Sequence, residues 1–244
     1  MSRKGNRVES LIALIAIFGG ISMPAIAGAD LPPAVNTAPE SSAAGMSWHF
    51  EDVPAGQVPA GWRVEATNQK GSLPVWEVVK DSSAPSPDHA LAMARPGRGS
   101  GGMFSFFGGT FNLCWTDKVS FLDGTVKTGF RAVKGREDQG GGVMWRVLDR
   151  DNYYVARFNP LEDNFRLYRV LNGHRKMLAS ATIRLPAGWH TLGITQKGSH
   201  MAGYIDGRKL LETSDGTFPS AGGAGLWTKA DAVTLFDDFS VIAQ

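Results

Sequence analysis

Cysteine is nearly missing from this chain: Cys114 is the single one in 244 residues. A lone thiol closes no intrachain disulfide, so stability must come from a packed core, which 13 Phe and 7 Trp can supply. Cys114 itself lies in Phe-Asn-Leu-Cys-Trp and reads as a small buried apolar residue. Long apolar runs are missing too, apart from Leu11–Phe18. Downstream of that run no stretch has helical periodicity; His89–Arg95 comes nearest, and it alternates as well as it spirals. No repeat of solenoid or propeller length is present. Excess charge is also lacking. Leaving out Arg3, Lys4, Arg7 and Glu9 of the N-terminal leader reduces 25 basic and 23 acidic residues to 22 of each. A neutral chain has no electrostatic footprint for nucleic acid or anionic lipid.

The N-terminus has a basic stretch, the short apolar run and small residues ending in Ala25-Ile-Ala27-Gly-Ala29. That order is the layout of a secretory signal peptide over residues 1–29. The run is short for a bilayer span and is followed by Gly19-Gly20 and Pro24, so no stable membrane anchor is expected once the leader is removed. The protein is expected in the periplasm or outside the cell. Residues 30–45, rich in Pro, Ala and Ser, read as a disordered tether, and residues 46–244 as one domain.

The centre of that domain is Gly140–Lys176, where Val143–Leu148, Tyr153–Asn159 and Phe165–Leu171 alternate like strands of a β-meander. Asn172-Gly173 closes the third run with the strongest short hairpin signal, because both residues tolerate positive φ. Successive strand side chains point to opposite faces. One set, Val143, Trp145, Val147, Tyr154, Ala156, Phe158, Phe165, Leu167 and Leu171, reads as core. The other carries Arg146, Tyr153, Arg157, Asn159, Arg166 and Tyr168, and is the candidate ligand surface. Tyr offers a sugar an apolar plane, while Arg and Asn supply hydrogen bonds. Three arginines suit a glycan with carboxylate or sulfate groups. The alternative for this face is a solvated sheet surface with cross-strand pairs.

Further short strands are expected from Trp48–Val53 to Val233–Ile242, with turns such as Asp206-Gly207 between them. Gly97–Gly102 formally contains G-x-G-x-x-G, but the strand-like Met103–Phe107 follows where a dinucleotide site needs a helix. No G-x-S-x-G occurs, and the five histidines have no metal-ligand spacing. His190 reads as a hydrogen-bonded strand residue, and Trp189 and Trp227 as core or core edge.

The segments WHFEDVPAGQVPAGW, NYYVARFNPLEDNFRLY, LPAGWHTL, YIDGRKLLE and GLWTKADAVTLFDDFSV resemble the concanavalin A-like superfamily, most of all its laminin-G-like and 3-keto-disaccharide-hydrolase-type secreted domains. The resemblance spans residues 46–244. It implies an all-β jelly-roll sandwich of two curved antiparallel sheets whose relatives bind or cleave glycans. Family-16 glycoside hydrolases of this fold carry Glu-x-Asp-x-Glu or a variant one residue longer on one strand, and this chain has neither. The resemblance also implies a structural calcium ion near the first strand, with Asp237 as the matching carboxylate; a hydrogen-bonded Asp237 without metal is the alternative. A carbohydrate-binding domain without an assignable catalytic motif is therefore expected. The rivals are a glycoside-cleaving enzyme of the 3-keto-disaccharide type and a protein-binding adhesion or structural module.

Overall fold

The computed structural model describes residues 45–98 and 109–244. The leader, the tether up to residue 44, most of the Gly97–Gly102 loop and Met103–Phe107 lie outside the described residues. Those described form strands and no helix. The strands are β1 (Gly45–Trp48), β2 (Trp62–Thr67), β3 (Val75–Lys80), β4 (His89–Arg95) and β5 (Phe111–Phe121). Next come β6 (Gly124–Lys134), β7 (Gly141–Asp149), β8 (Asn152–Asn159), β9 (Asn164–Leu171) and β10 (His174–Thr182). The last five are β11 (His190–Lys197), β12 (His200–Ile205), β13 (Arg208–Ser214), β14 (Gly222–Lys229) and β15 (Val233–Ala243).

Two antiparallel sheets result. A seven-stranded sheet runs β10-β9-β8-β7-β14-β5-β2, and an eight-stranded one runs β13-β12-β11-β6-β15-β4-β3 with β1 on β15. The expected meander is β7 to β10, neighbours in sequence and in the sheet. Its last turn has Asn172 at φ 50° and Gly173 at 75°, as a two-residue hairpin of this twist requires. His89–Arg95 is strand β4, so alternation rather than helical spacing decides it.

The inward faces meet in one core that contains Val143, Trp145, Tyr154, Ala156, Phe158, Phe165 and Leu167, with Leu171 packed against it. Cys114 is buried there as well. The indole N–H of Trp145 donates to Gln196 Oε1 at 2.7 Å, which ties β7 to β11 of the opposite sheet.

Three departures from simple alternation matter. The first strand ends at Trp48 rather than Val53; Phe50 has φ 64° and leaves the sheet while its side chain stays in the core. In β7, Arg146 has φ 46° and the register with β8 shifts after Trp145. One extra residue reverses the facing of the next positions along the strand, so Val147 leaves the core set for the outer face. In β15, Asp238 has φ 48° and the register with β6 shifts between Asp237 and Ser240. Phe239 and Val241 consequently join the core, while Leu235 packs with Ala90, Ala92 and Trp189 on the outer face of the eight-stranded sheet. Asp237 goes with Leu235, not with Phe239.

Candidate functional site

Pairing of β8 with β9 sets Tyr153 opposite Val170, Val155 opposite Tyr168, Arg157 opposite Arg166 and Asn159 opposite Asn164. Tyr153, Arg157, Asn159, Arg166 and Tyr168 therefore share the outer face of the seven-stranded sheet, as alternation predicts. Arg146 does not join them. Its bulge turns the guanidinium to the rim, where Nε donates to Leu122 O at 2.9 Å and Nη1 to Phe218 O at 2.6 Å. Nη2 donates to Gly198 O at 2.8 Å and Asp123 Oδ1 at 3.1 Å. Every part of that side chain is committed to holding turns, which leaves nothing for a ligand.

The outer face is also not the open polar surface that its residue types suggest. It carries a second apolar cluster that includes Phe111, Trp115, Met144, Val155 and Trp227. Tyr153 and Tyr168 belong to this cluster and are 0% and 4% exposed. The Tyr153 hydroxyl lies 2.8 Å from Thr67 Oγ1 and accepts the Trp227 indole N–H at 3.1 Å. Trp115 packs on β14 where Gly223 has no side chain: a Cβ there would come 2.8 Å from the Trp115 ring, and one on Gly225 2.4 Å from Trp115 Cβ. Its indole N–H donates to Glu65 at 2.7 Å. Arginines lie over the rings, with Arg63 5.1 Å from the Trp115 centroid and Arg175 4.3 Å from Tyr168 and 5.1 Å from Phe111. Cation–π contacts let guanidinium groups cover aromatic surface without a full desolvation penalty.

At one end of this face the charges gather. The turn after β8 begins with Asn159, whose Oδ1 accepts the Leu161 N–H at 2.8 Å, and it brings Glu162 back over the sheet. Glu162 Oε2 accepts Arg166 Nη1 at 2.9 Å, Asn164 Nδ2 at 2.8 Å and Arg157 Nη2 at 3.3 Å. Burial opposes ionisation of Glu162, but the Asn164 hydrogen bond and the two arginines outweigh it and lower its pKa. Asp138 sits on the other side of Arg157, 2% exposed, with Oδ1 3.7 Å from Arg157 Nη1 and Oδ2 3.4 Å from Lys229 Nζ. Asn159 Nδ2 donates to it at 3.1 Å. Burial raises the Asp138 pKa, and Arg157, Lys229 and Arg175 only partly offset it.

Even so, the cations outweigh the carboxylates: Arg157, Arg166, Arg175 and Lys229 face Asp138 and Glu162. Nε and Nη1 of Arg157 and Nη1 of Arg175 are buried without a hydrogen-bond acceptor. Burial, with the Arg157 charge adding to it, lowers the Arg175 pKa. Arg175 was not singled out from sequence, although the Asn172-Gly173 hairpin fixes it opposite Val170, on this face. Asp138 had no such signal, since it lies in the loop before β7.

Asp237, the carboxylate offered to calcium, is on the other sheet. It is fully buried, and burial raises its pKa against the hydrogen bonds it accepts. Oδ2 accepts the Ser86 backbone N–H at 2.8 Å, Oδ1 accepts that of Asp238 at 2.7 Å, and Ser86 Oγ lies 2.8 and 2.7 Å from the two oxygens. The next oxygen toward the first strand, His49 O, is 3.4 Å from the same hydroxyl. Hydrogen-bond donors thus meet both carboxylate oxygens. The residues therefore fit a hydrogen-bonded aspartate better than a calcium ligand.

No protein-family model and no curated relative matches the chain. Solved structures do match. Cip1, a cellulose-induced protein, superposes with a TM-score of 0.58 at 13% identity over 81% of this chain and 96% of its own. The carbohydrate-binding module CBM66 from Bacillus subtilis gives 0.55 at 20% identity over 74% of this chain and 94% of its own. The Bacillus licheniformis β-glucanase gives 0.55 at 9% identity, covering 82% and 98%. At such identities the likeness is one of fold alone: a jelly-roll sandwich of two antiparallel sheets.

Proposed function

We propose that this β-sandwich binds an acidic glycan at the outer face of its seven-stranded sheet, through Arg166 and Arg175 beside the Tyr168 ring, with the buried Arg157 adding positive charge beneath them. One observation carries the reading: Arg157, Arg166, Arg175 and Lys229 gather around only two carboxylates, and Arg166 at the edge of the cluster is open to solvent. A carboxylate or sulfate would offset that surplus charge and pair with an accessible guanidinium, since guanidinium and oxyanion geometries match. A fold used by carbohydrate-binding proteins agrees with a sugar as the carrier of that anion. Fold alone would not establish it.

Titration calorimetry with oligogalacturonate, a sulfated oligosaccharide and cello-oligosaccharide tests this. The acidic probes are expected to bind, and to bind less as salt rises and screens the contact. Arg166 is the informative position because its side chain is 29% exposed and its loss leaves the core intact. Arg166→Ala is expected to cost about 2 kcal/mol of affinity, as an interface anchor does, with little change in Tm. Wild-type affinity in Arg166→Ala, or no binding of either acidic probe, defeats the reading.

Glycoside cleavage is favoured by a separate observation. Asp138 and Glu162 meet the same Arg157 with pKa values displaced in opposite directions, the pattern of an acid and its partner carboxylate. Asp138 is 2% exposed, however, and reaches no open surface. Binding therefore leads. Released reducing ends that vanish in Asp138→Asn and Glu162→Gln would reverse the order.

A further inference from the structure

The outer face of the eight-stranded sheet holds a separate recess of about 260 Å³ that takes no part in the site above. Trp189, half-buried, forms its wall. The indole N–H donates to Ser83 Oγ at 3.1 Å and the Arg131 guanidinium lies 5.8 Å from the ring centroid, so the ring is fixed in place. Gly129 keeps the floor low. A Cβ there would already touch Pro85 at 3.5 Å and Trp189 at 3.7 Å, and a longer side chain would fill the recess.

The polar groups around it converge for traceable reasons. The β15 bulge turns Asp238 toward it, and the Asp206-Gly207 hairpin, with φ of 48° and 75°, places Asp206 at the rim. Asp206 accepts the Thr191 N–H at 2.8 Å and meets His190 Nδ1 at 2.8 Å, while Asp238 Oδ1 meets His49 Nδ1 at 2.6 Å. The two carboxylates are nonetheless 45% and 42% exposed, so each has acceptor capacity directed outward. Lys127 and Thr191, both exposed, add donors.

We infer that this recess is a second sugar site, which takes one neutral sugar ring against Trp189. The indole matches the apolar C–H face of a pyranose or furanose. Asp206 and Asp238 accept hydroxyl protons, and Lys127 and Thr191 donate to hydroxyl oxygens. Two carboxylates at the rim repel a uronic acid or sulfated sugar. A quaternary ammonium would need a cage of Trp, Tyr or Phe rings, and Trp189 is the single such ring among the lining residues. The volume suits a single ring rather than a chain lying along the sheet. The inference does not depend on the acidic-glycan reading, and its charge preference is the opposite.

The test monitors the Trp189 indole N–H resonance by NMR in the intact protein during addition of glucose, galactose, mannose, xylose, fructose and galacturonate. At least one neutral sugar at millimolar concentration is expected to shift it, and galacturonate is not. Lys127→Ala and Asp238→Asn are each expected to weaken that response about tenfold, while Arg166→Ala leaves it unchanged. Lys127 is exposed and Asn tolerates the positive φ at position 238, so neither variant threatens the fold. No shift with any neutral sugar, an equal shift with galacturonate, or a wild-type response in both variants overturns the inference. Loss of acidic-glycan binding alone would count only against the other face.

Discussion

Tyr153 and Asp237 show how a polar group with a functional appearance can be part of the frame. Burial pushes the Tyr153 phenol pKa up, so the group stays neutral, and its oxygen serves both Thr67 and the Trp227 indole. Tyr153→Phe keeps the ring but leaves the Trp227 N–H buried and unpaired. A loss of about 1–3 kcal/mol in urea unfolding is expected, with glycan affinity unchanged. Lower affinity at unchanged stability would return Tyr153 to the ligand surface. For Asp237 we propose that Ser86, not a cation, balances the carboxylate. EDTA is then expected to leave Tm where it is, and Ser86→Ala to cost about 1–3 kcal/mol because it removes the hydroxyl that Asp237 shares. A Tm that falls with EDTA and recovers with calcium, in wild type but not in Asp237→Asn, would establish the metal instead.

Whole strands are redirected by single residues. The β7 bulge costs a non-glycine residue at φ 46°, and Arg146 offsets it by reaching four acceptors in three different turns. Arg146→Ala strands those acceptors, and a loss of about 3 kcal/mol or more is expected by thermal and urea melts, with ligand affinity at the outer face retained. Arg146→Lys, which lacks the planar fork, is expected to recover only part. A second support holds the loop before β7: Asp231 accepts the backbone N–H groups of Arg136, Glu137 and Asp138 at 2.7, 3.0 and 3.1 Å. Burial opposes its ionisation, but those three N–H groups prevail and lower its pKa. A carboxylate depressed in the folded state contributes stability above its unfolded pKa, about 3.9, and loses it as pH falls through the lower folded value. The Tm gap between wild type and Asp231→Asn is therefore expected to be full near neutral pH and to close below about pH 4. Asp138 and Asp237 run the other way. Their raised pKa values give a contribution that is present in acid and lost as pH rises through the folded value. A gap that stays constant down to acid pH would mean the Asp231 carboxylate is not what holds the loop.

For the molecule as a whole, two sheets turn two chemically distinct outer faces outward, one with surplus arginine and one with a tryptophan and carboxylates. Export belongs at this scale. The leader pattern predicts a mature N-terminus near Gly28 or Asp30 in mass spectrometry of natively produced protein, and an intact Met1 on cytosolic protein would refute it. The all-β class, the β7–β10 meander, the Asn172-Gly173 and Asp206-Gly207 turns and seven of the nine meander core positions were legible in the sequence alone, with Leu171 at the core margin. Alternation and turn chemistry are local, and a window of a few residues contains all the physics they need. The sharing of one face by Tyr153, Arg157, Asn159, Arg166 and Tyr168 comes from the same parity. Other features were settled only in the tertiary structure. Val147 moved to the outer face and Arg146 to the rim because a bulge is stabilised by carbonyls at Leu122, Gly198 and Phe218, far from it in the chain. Asp237 found its partner in Ser86, 151 residues away. The polar face became a half-apolar cluster roofed by Arg63 and Arg175. Alternation tells which side of a sheet a residue takes. Burial, pairing and charge balance depend on what the rest of the chain brings to that side.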